Sequence, residues 1–157
     1  MSENEKRAER AFRQTCAYLD KRGWKYDKDE EELSIRTAVR GEDIPIPMNL
    51  RINVEMQILQ MLSTMPFEIP AERRIDGALA ICETNYLLRE GAFDFSTMRG
   101  NVCFRMNMSY FDSELTEGAV EKLILMTIAT VERYNDRLYD VSQGKMSLEE
   151  YIKTLRS

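Results

Sequence analysis

Apolar residues recur along the chain at two periods, and the places where the period changes mark its elements. From Ser2 to Arg22, Ala8, Ala11, Phe12, Thr15 or Cys16, and Leu19 fall at helical spacing among charged residues, and Gly23 stands at the C-terminal stop position. The spacing predicts an amphipathic first helix. Trp24 to Lys28 reads as a short alternating strand, the acidic run Asp29 to Glu32 as a turn, and Leu33 to Arg40 as a second strand with Leu33, Ile35, Thr37 and Val39 on one side. Gly41 to Pro47, with two prolines that cannot donate to a ladder, leads to a third strand carrying Leu50 and Ile52. The same parity carried onward would leave Leu59, Met61 and Met65 on the wrong face, so a tight turn is expected near Asn53–Met56, with a fourth strand over Gln57–Met65.

Pro70 suits the first turn of a helix running through Arg89, which Gly91 then caps. Ile75, Ala78, Leu79, Cys82 and Tyr86 form its main apolar stripe, with Ile81 and Leu88 a second, so both sides are expected to be covered. Ala92–Phe95 and Asn101–Phe111 predict a second hairpin around the turn Ser96–Gly100. A long helix is expected from Glu117 to about Val141, capped by Thr116 and broken at Gly144, with Val120, Leu123, Ile124, Thr127, Val131, Tyr134 and Leu138 on one stripe. Ser147 and Glu150 have capping-box spacing for a last helix, Leu148–Leu155. The order α-β-β-β-β-α-β-β-α-α predicts one α+β domain over residues 1–157, an antiparallel sheet packed against helices.

Composition narrows the chemistry. The chain has 157 residues, 43% hydrophobic and 31% charged, which suits one core; Lys and Arg total 22 against 27 Asp and Glu, a formal charge of −5. It contains no histidine, which excludes a Ser-His-Asp triad, a Cys-His pair and a His-ligated metal. Cys16, Cys82 and Cys103 are odd in number and form no C-x-x-C, so they read as small buried hydrophobes in a reduced cytoplasm; no metal site or disulfide framework is expected. The charged first twenty residues do not resemble a signal peptide, and no stretch approaches the length that spans a bilayer, so a cytoplasmic protein without membrane contact is expected. The seven glycines are too dispersed for G-x-G-x-x-G or a P-loop, and no cofactor is expected. The run Asp27 to Glu31 imitates a calcium loop, but Glu32 stands where the sharp turn demands glycine, so it reads as a solvated turn.

Asp94, Asp112, Glu114 and Glu117 gather near the ends of the second hairpin without singling out a catalytic pair, and Asp112 and Glu114 also suit the positive end of a helix dipole. Ten methionines suit an adaptable core or a binding surface; Met106 and Met108 alternate with Val102, Phe104 and Tyr110 and belong to the core. If the apolar strand positions face the helices, the reverse of the sheet collects Lys25, Arg36, Arg40, Arg51, Gln60, Arg105 and Asn107, with almost no carboxylates. Such a face is either an ordinary solvated one or a docking surface for an acidic protein segment, since arginine forks bind carboxylates well. Nucleic acid fits less well, because the chain is acidic and has no RNP-type aromatic signature.

The stretch Leu59 to Phe67, the passage Asn85-Tyr-Leu-Leu-Arg-Glu-Gly91-Ala-Phe-Asp-Phe, the strand Val102 to Met106, and the long helix with Val131-Glu-Arg-Tyr134 and Val141 resemble the YbjN-like bacterial domains, similar in fold to type III secretion chaperones. The resemblance covers about Trp24 to Gln143 and gives Asn85 a capping role and Gly91 that of a left-handed stop. It implies a small bacterial protein, often dimeric, without an established enzymatic activity, and supplies no catalytic residues. The resulting expectation is a noncatalytic, chaperone-like interaction domain, homodimeric, that binds a protein segment through its sheet face or dimer surface. The alternative is a small-ligand protein or enzyme using carboxylates and Tyr86, Tyr110 and Tyr134 in a helix–sheet pocket.

Overall fold

The structure, a computed structural model, describes residues 1–157. Helix α1 spans Glu3–Lys21 and starts at a capping box in which Ser2 and Glu5 satisfy each other's backbone N–H groups. Strands follow at Asp27–Asp29 (β1), Ser34–Val39 (β2), Ile46–Asn53 (β3) and Ile58–Glu68 (β4). A short 3-10 turn, Ala71–Arg73, leads into α2, Arg74–Leu87; then come β5 (Ala92–Phe95), β6 (Asn101–Ser109), α3 (Glu117–Gln143) and α4 (Leu148–Leu155). The six strands form one antiparallel sheet in the order β1-β2-β3-β4-β6-β5, so the predicted fold class and element order stand. Because β4 and β5 each run antiparallel to β6, they point the same way, and α2 crosses over between them.

Local chemistry explains where these elements depart from expectation. Strand β1 is shorter than the alternation suggested, yet Tyr26 just before it is half-buried and donates to Asp20 at 2.8 Å. Burial and that carboxylate push the Tyr26 hydroxyl well above its usual range. Pro47 lies inside β3 instead of before it. Pairing with β4 begins only at Asn49, so its missing N–H costs no rung there. The parity break after Ile52 is the expected turn: Asn53 accepts from the Met56 N–H at 2.9 Å, and Gln57 takes a left-handed conformation at φ 52°. Strand β4 runs past Met65 because a register shift between Thr64 and Glu68 absorbs Pro66. Helix α2 ends at Leu88, which is extended, and not at Gly91. Gly91 serves the next turn instead, at φ +73°, where an added Cβ would lie 2.5 Å from the Phe104 ring.

One face of the sheet carries the core. Ile35, Met48, Leu50, Ile52, Leu59, Met61, Phe93, Phe104 and Met106 are buried with Phe12, Cys16 and Leu19 of α1 and Leu123, Ile124, Val131, Tyr134 and Leu138 of α3. Ion pairs of α1 with α3 and the loop before it, Lys21–Glu117 at 2.9 Å, Arg22–Glu121 at 2.6 Å and Arg10–Glu114 at 2.7 Å, fasten the rim of that layer. Each lies in solvent and adds little. Arg73 packs against Gly144, the left-handed C-cap of α3 at φ 71°, and so places a cation at the negative end of that dipole. No helix is long and apolar enough to cross a membrane.

Candidate interaction surfaces

Helix α2 is apolar on two opposite sides, and the fold covers one. The covered side carries Gly77, Ala80, Ile81 and Thr84, three of them small, and a Cβ at Gly77 would meet the Ile69 side chain at 2.6 Å. This close approach lets α4 dock as well. Tyr151 of α4 is fully buried, with its hydroxyl 2.5 Å from that of Thr84. Thr84 spends its own proton on the Ala80 carbonyl at 2.8 Å, which leaves Tyr151 as the donor. Asn85 ties the helix to the outer edge of β5: its amide donates to the Phe93 carbonyl at 2.9 Å and accepts from the Phe93 N–H at 2.8 Å. Asn85 therefore occupies a missing strand's place and is not a helix cap, and it blunts an edge that would otherwise recruit another strand.

The larger stripe faces water. Ile75 is 79% exposed, Leu79 48% and Tyr86 87%, and Cys82 between them is exposed too. This corrects the expectation that both sides of the helix are covered and that all three cysteines are buried: the crossover can press only its small-residue side against the sheet. The four positions lie 100° per residue apart in phase so that they point directly away from the buried side. Met98, 89% exposed, lies beside the first turn of α2. Arg74 fixes it there by donating to the carbonyls of Ile69 (3.0 Å), Met98 (2.7 Å), Thr97 (3.3 Å) and Arg99 (3.2 Å). Asp76 and Glu83 border one flank of the stripe; Glu72 and Arg89 stand exposed at its two ends and form no ion pair.

The reverse of the sheet carries no helix, and strand pairing puts the predicted residues on it together. Arg36, Asn49, Leu62 and Arg105 form one row across β2, β3, β4 and β6, and Arg51, Gln60 and Asn107 form the next. Lys25 and Arg40 extend the same parity beyond β1 and β2. The expectation of almost no carboxylates fails, because register brings Asp27, Asp29 and Asp94 to this face. Arg105 grips Asp94 through two bonds, 2.7 and 3.1 Å, and Arg51 meets Glu32 at 2.6 Å. Two cations without an ion pair remain at one corner, where Lys25 and Arg36 line an open depression of about 570 Å³ together with Asp27, and Arg40 is nearby in sequence.

The tyrosines Tyr86, Tyr110 and Tyr134 and the carboxylates Asp94 and Glu114 do not converge on one pocket. Tyr86 is in solvent on α2, Tyr110 lies at the end of β6 with its hydroxyl 3.5 Å from the Asn53 carbonyl, and Tyr134 packs against Phe93 in the core. Asp94 and Glu114 are each held by an arginine, and the bond from Arg10 lowers the Glu114 carboxyl below its usual range. Burial raises the Cys16 and Cys103 thiols and keeps them protonated. No three His, Cys, Asp or Glu side chains gather as a metal-ligand set.

No protein-family model matches the chain, and no curated protein is similar to it in sequence. Among solved structures it is similar to the crystal structure of YbjN from E. coli, provisionally described as a transcription regulator, with a TM-score of 0.58 and 8% identity over 78% of this chain and 86% of that one. The likeness is one of fold: the α+β architecture is YbjN-like.

Proposed function

We propose that the chain is a noncatalytic protein-interaction domain and that its principal docking surface is the outer face of α2. One observation carries this reading: a stripe of apolar side chains, Ile75, Leu79, Cys82 and Tyr86, on a helix anchored on its other side, stands in water. Scattered exposed hydrophobics are ordinary, whereas a contiguous patch on a rigid element marks a site of association. Tyr86 alone leaves roughly 200 Å² of aromatic surface to be buried by a partner. The sheet face is the weaker surface, because two of its arginines are already engaged by its own acids. The likeness of fold to YbjN, a protein described as a regulator, supports a role exercised through contacts rather than through chemistry.

Site-specific photocrosslinking tests the reading. A benzophenone side chain placed at position 86, and in a second sample at position 36 on the sheet face, is illuminated in the full chain in extracts of its native host. A protein adduct is expected from position 86. Absence of any adduct there, with strong labelling from position 36, transfers the function to the cationic corner of the sheet.

A further inference from the structure

We propose that the cleft between α1 and the β1–β2 hairpin binds a small amphipathic cation, an aliphatic body that ends in an ammonium group. The cleft shares no residue with α2, so it goes beyond the docking reading and does not depend on it. Helix α1 packs on α3 and β3, and the hairpin stands off from it. A space of about 450 Å³ is left between them, which falls in the range of small-molecule sites. Its floor is apolar. Phe12 and Cys16 are 5% and 8% exposed, and the half-buried Leu33 packs against the core beside them. Leu33 does so from a left-handed conformation, φ 48°, that is rare for a bulky residue. Burial keeps the Cys16 thiol protonated, so the floor carries no charge.

The rim selects the sign of the ligand. Five charged side chains line the cleft, and four of them cancel: Arg13 meets Glu9 at 3.2 Å, and Lys28 meets Glu30 at 2.8 Å. Asp20 is left over. It forms no ion pair, and its bond of 2.8 Å comes from the Tyr26 hydroxyl, a neutral donor whose proton burial and this same carboxylate hold in place. An ammonium group beside Asp20 gains a charge-assisted hydrogen bond, whereas an anion there meets an uncompensated carboxylate. Phe12, Cys16 and Asp20 follow one another at i, i+4 spacing on one side of α1. The rise from Phe12 to Asp20 is about 12 Å along the helix axis, so an aliphatic chain of octyl size spans the floor while its ammonium end reaches the carboxylate.

Isothermal titration calorimetry of the full chain with octylammonium, kept below its micelle-forming concentration, tests the proposal. Saturable binding of one molecule per chain is expected. Butylammonium, which has only the reach of a lysine side chain, should bind about 10-fold more weakly or worse, because it leaves part of the floor in water. Octanoate, the same body size with the opposite charge, should be weaker by about 10-fold as well. Asp20→Asn keeps an acceptor for Tyr26 and should erase the preference for octylammonium over octanoate. Ala17→Phe, at an exposed helix position on the cleft wall, should block both ligands with helical circular dichroism unchanged. Leu33→Ser, which removes an apolar group from the floor, serves the same purpose should Ala17→Phe fail to fold. No saturable heat with octylammonium, equal binding of octanoate or butylammonium, a preference that persists in Asp20→Asn, or binding that survives both Ala17→Phe and Leu33→Ser overturns the proposal. Failure of the crosslink at position 86 would reject the α2 reading and leave this result standing.

Discussion

Helices α3 and α2 pack against each other and differ in what they bury. Helix α3 turns Val120, Leu123, Ile124, Val131 and Leu138 inward, and its stripe is the core. Helix α2 turns mostly small residues inward, Gly77, Ala80 and Thr84 beside Ile81, and leaves Ile75, Leu79 and Tyr86 outside. Both stripes are apolar and have helical period, so period identifies a face without saying what covers it. The cover is set by what else must fit. Helix α2 has to pass between strands β4 and β5 and receive α4 on its inner side, and Gly77 against Ile69 and Thr84 against Tyr151 leave room for the two approaches.

The difference can be broken first where it is largest. Leu138→Ala removes a core side chain that is 1% exposed and should cost about 2–5 kcal/mol of unfolding free energy in urea titration. A loss as small as that of a surface change would show that α3 does not carry the core. A second test uses the inner side of α2. Burial raises Tyr151 from 10 to about 12, so the folded protein resists an ionisation that the unfolded chain undergoes near pH 10. That contribution is intact below pH 10 and is lost as the pH climbs from 10 to 12, a change on the order of 2 kcal/mol. Tyr151→Phe should flatten this part of the alkaline stability curve; an unchanged slope would mean that the α4–α2 contact opens before titration. The smallest effect belongs to the outer stripe. Ile75→Ser should shift stability by no more than about 0.5 kcal/mol, because the side chain is exposed in the folded chain as well as in the unfolded one. A cost of several kcal/mol would place Ile75 in a core that this fold does not give it.

Much of the framework was legible in the residues themselves. The capping box at Ser147–Glu150, the Thr116 cap and the turn signalled by the parity break after Ile52 all act within a few residues and are decided there. The sheet-face residues Arg36, Arg51, Gln60, Arg105 and Asn107 do share a face, because alternation fixes side once register is fixed. Their electrostatic meaning was not legible. Asp94 is eleven residues from Arg105 and cancels it only through the β5–β6 register, and Glu32 reaches Arg51 from a turn that reads as mere solvated acid. Asn85 was singled out as a cap; its true partner, the edge of β5, becomes visible only when the crossover is folded. The outer face of α2 carried a signal that could have been read differently: the small residues Gly77, Ala80 and Thr84 form a stripe of their own, and close packing favours such a stripe over a bulky one.

The sequence alone determined the local structure: where helices start and stop, which strand positions are apolar, the order of elements and the absence of imidazole chemistry, since these depend on interactions spanning a few residues or on composition. Tertiary structure alone decided which of two apolar faces of α2 is hidden, which arginines keep a free charge and which backbone edge Asn85 closes. Those outcomes depend on distances between residues far apart in the chain, and no local period encodes them.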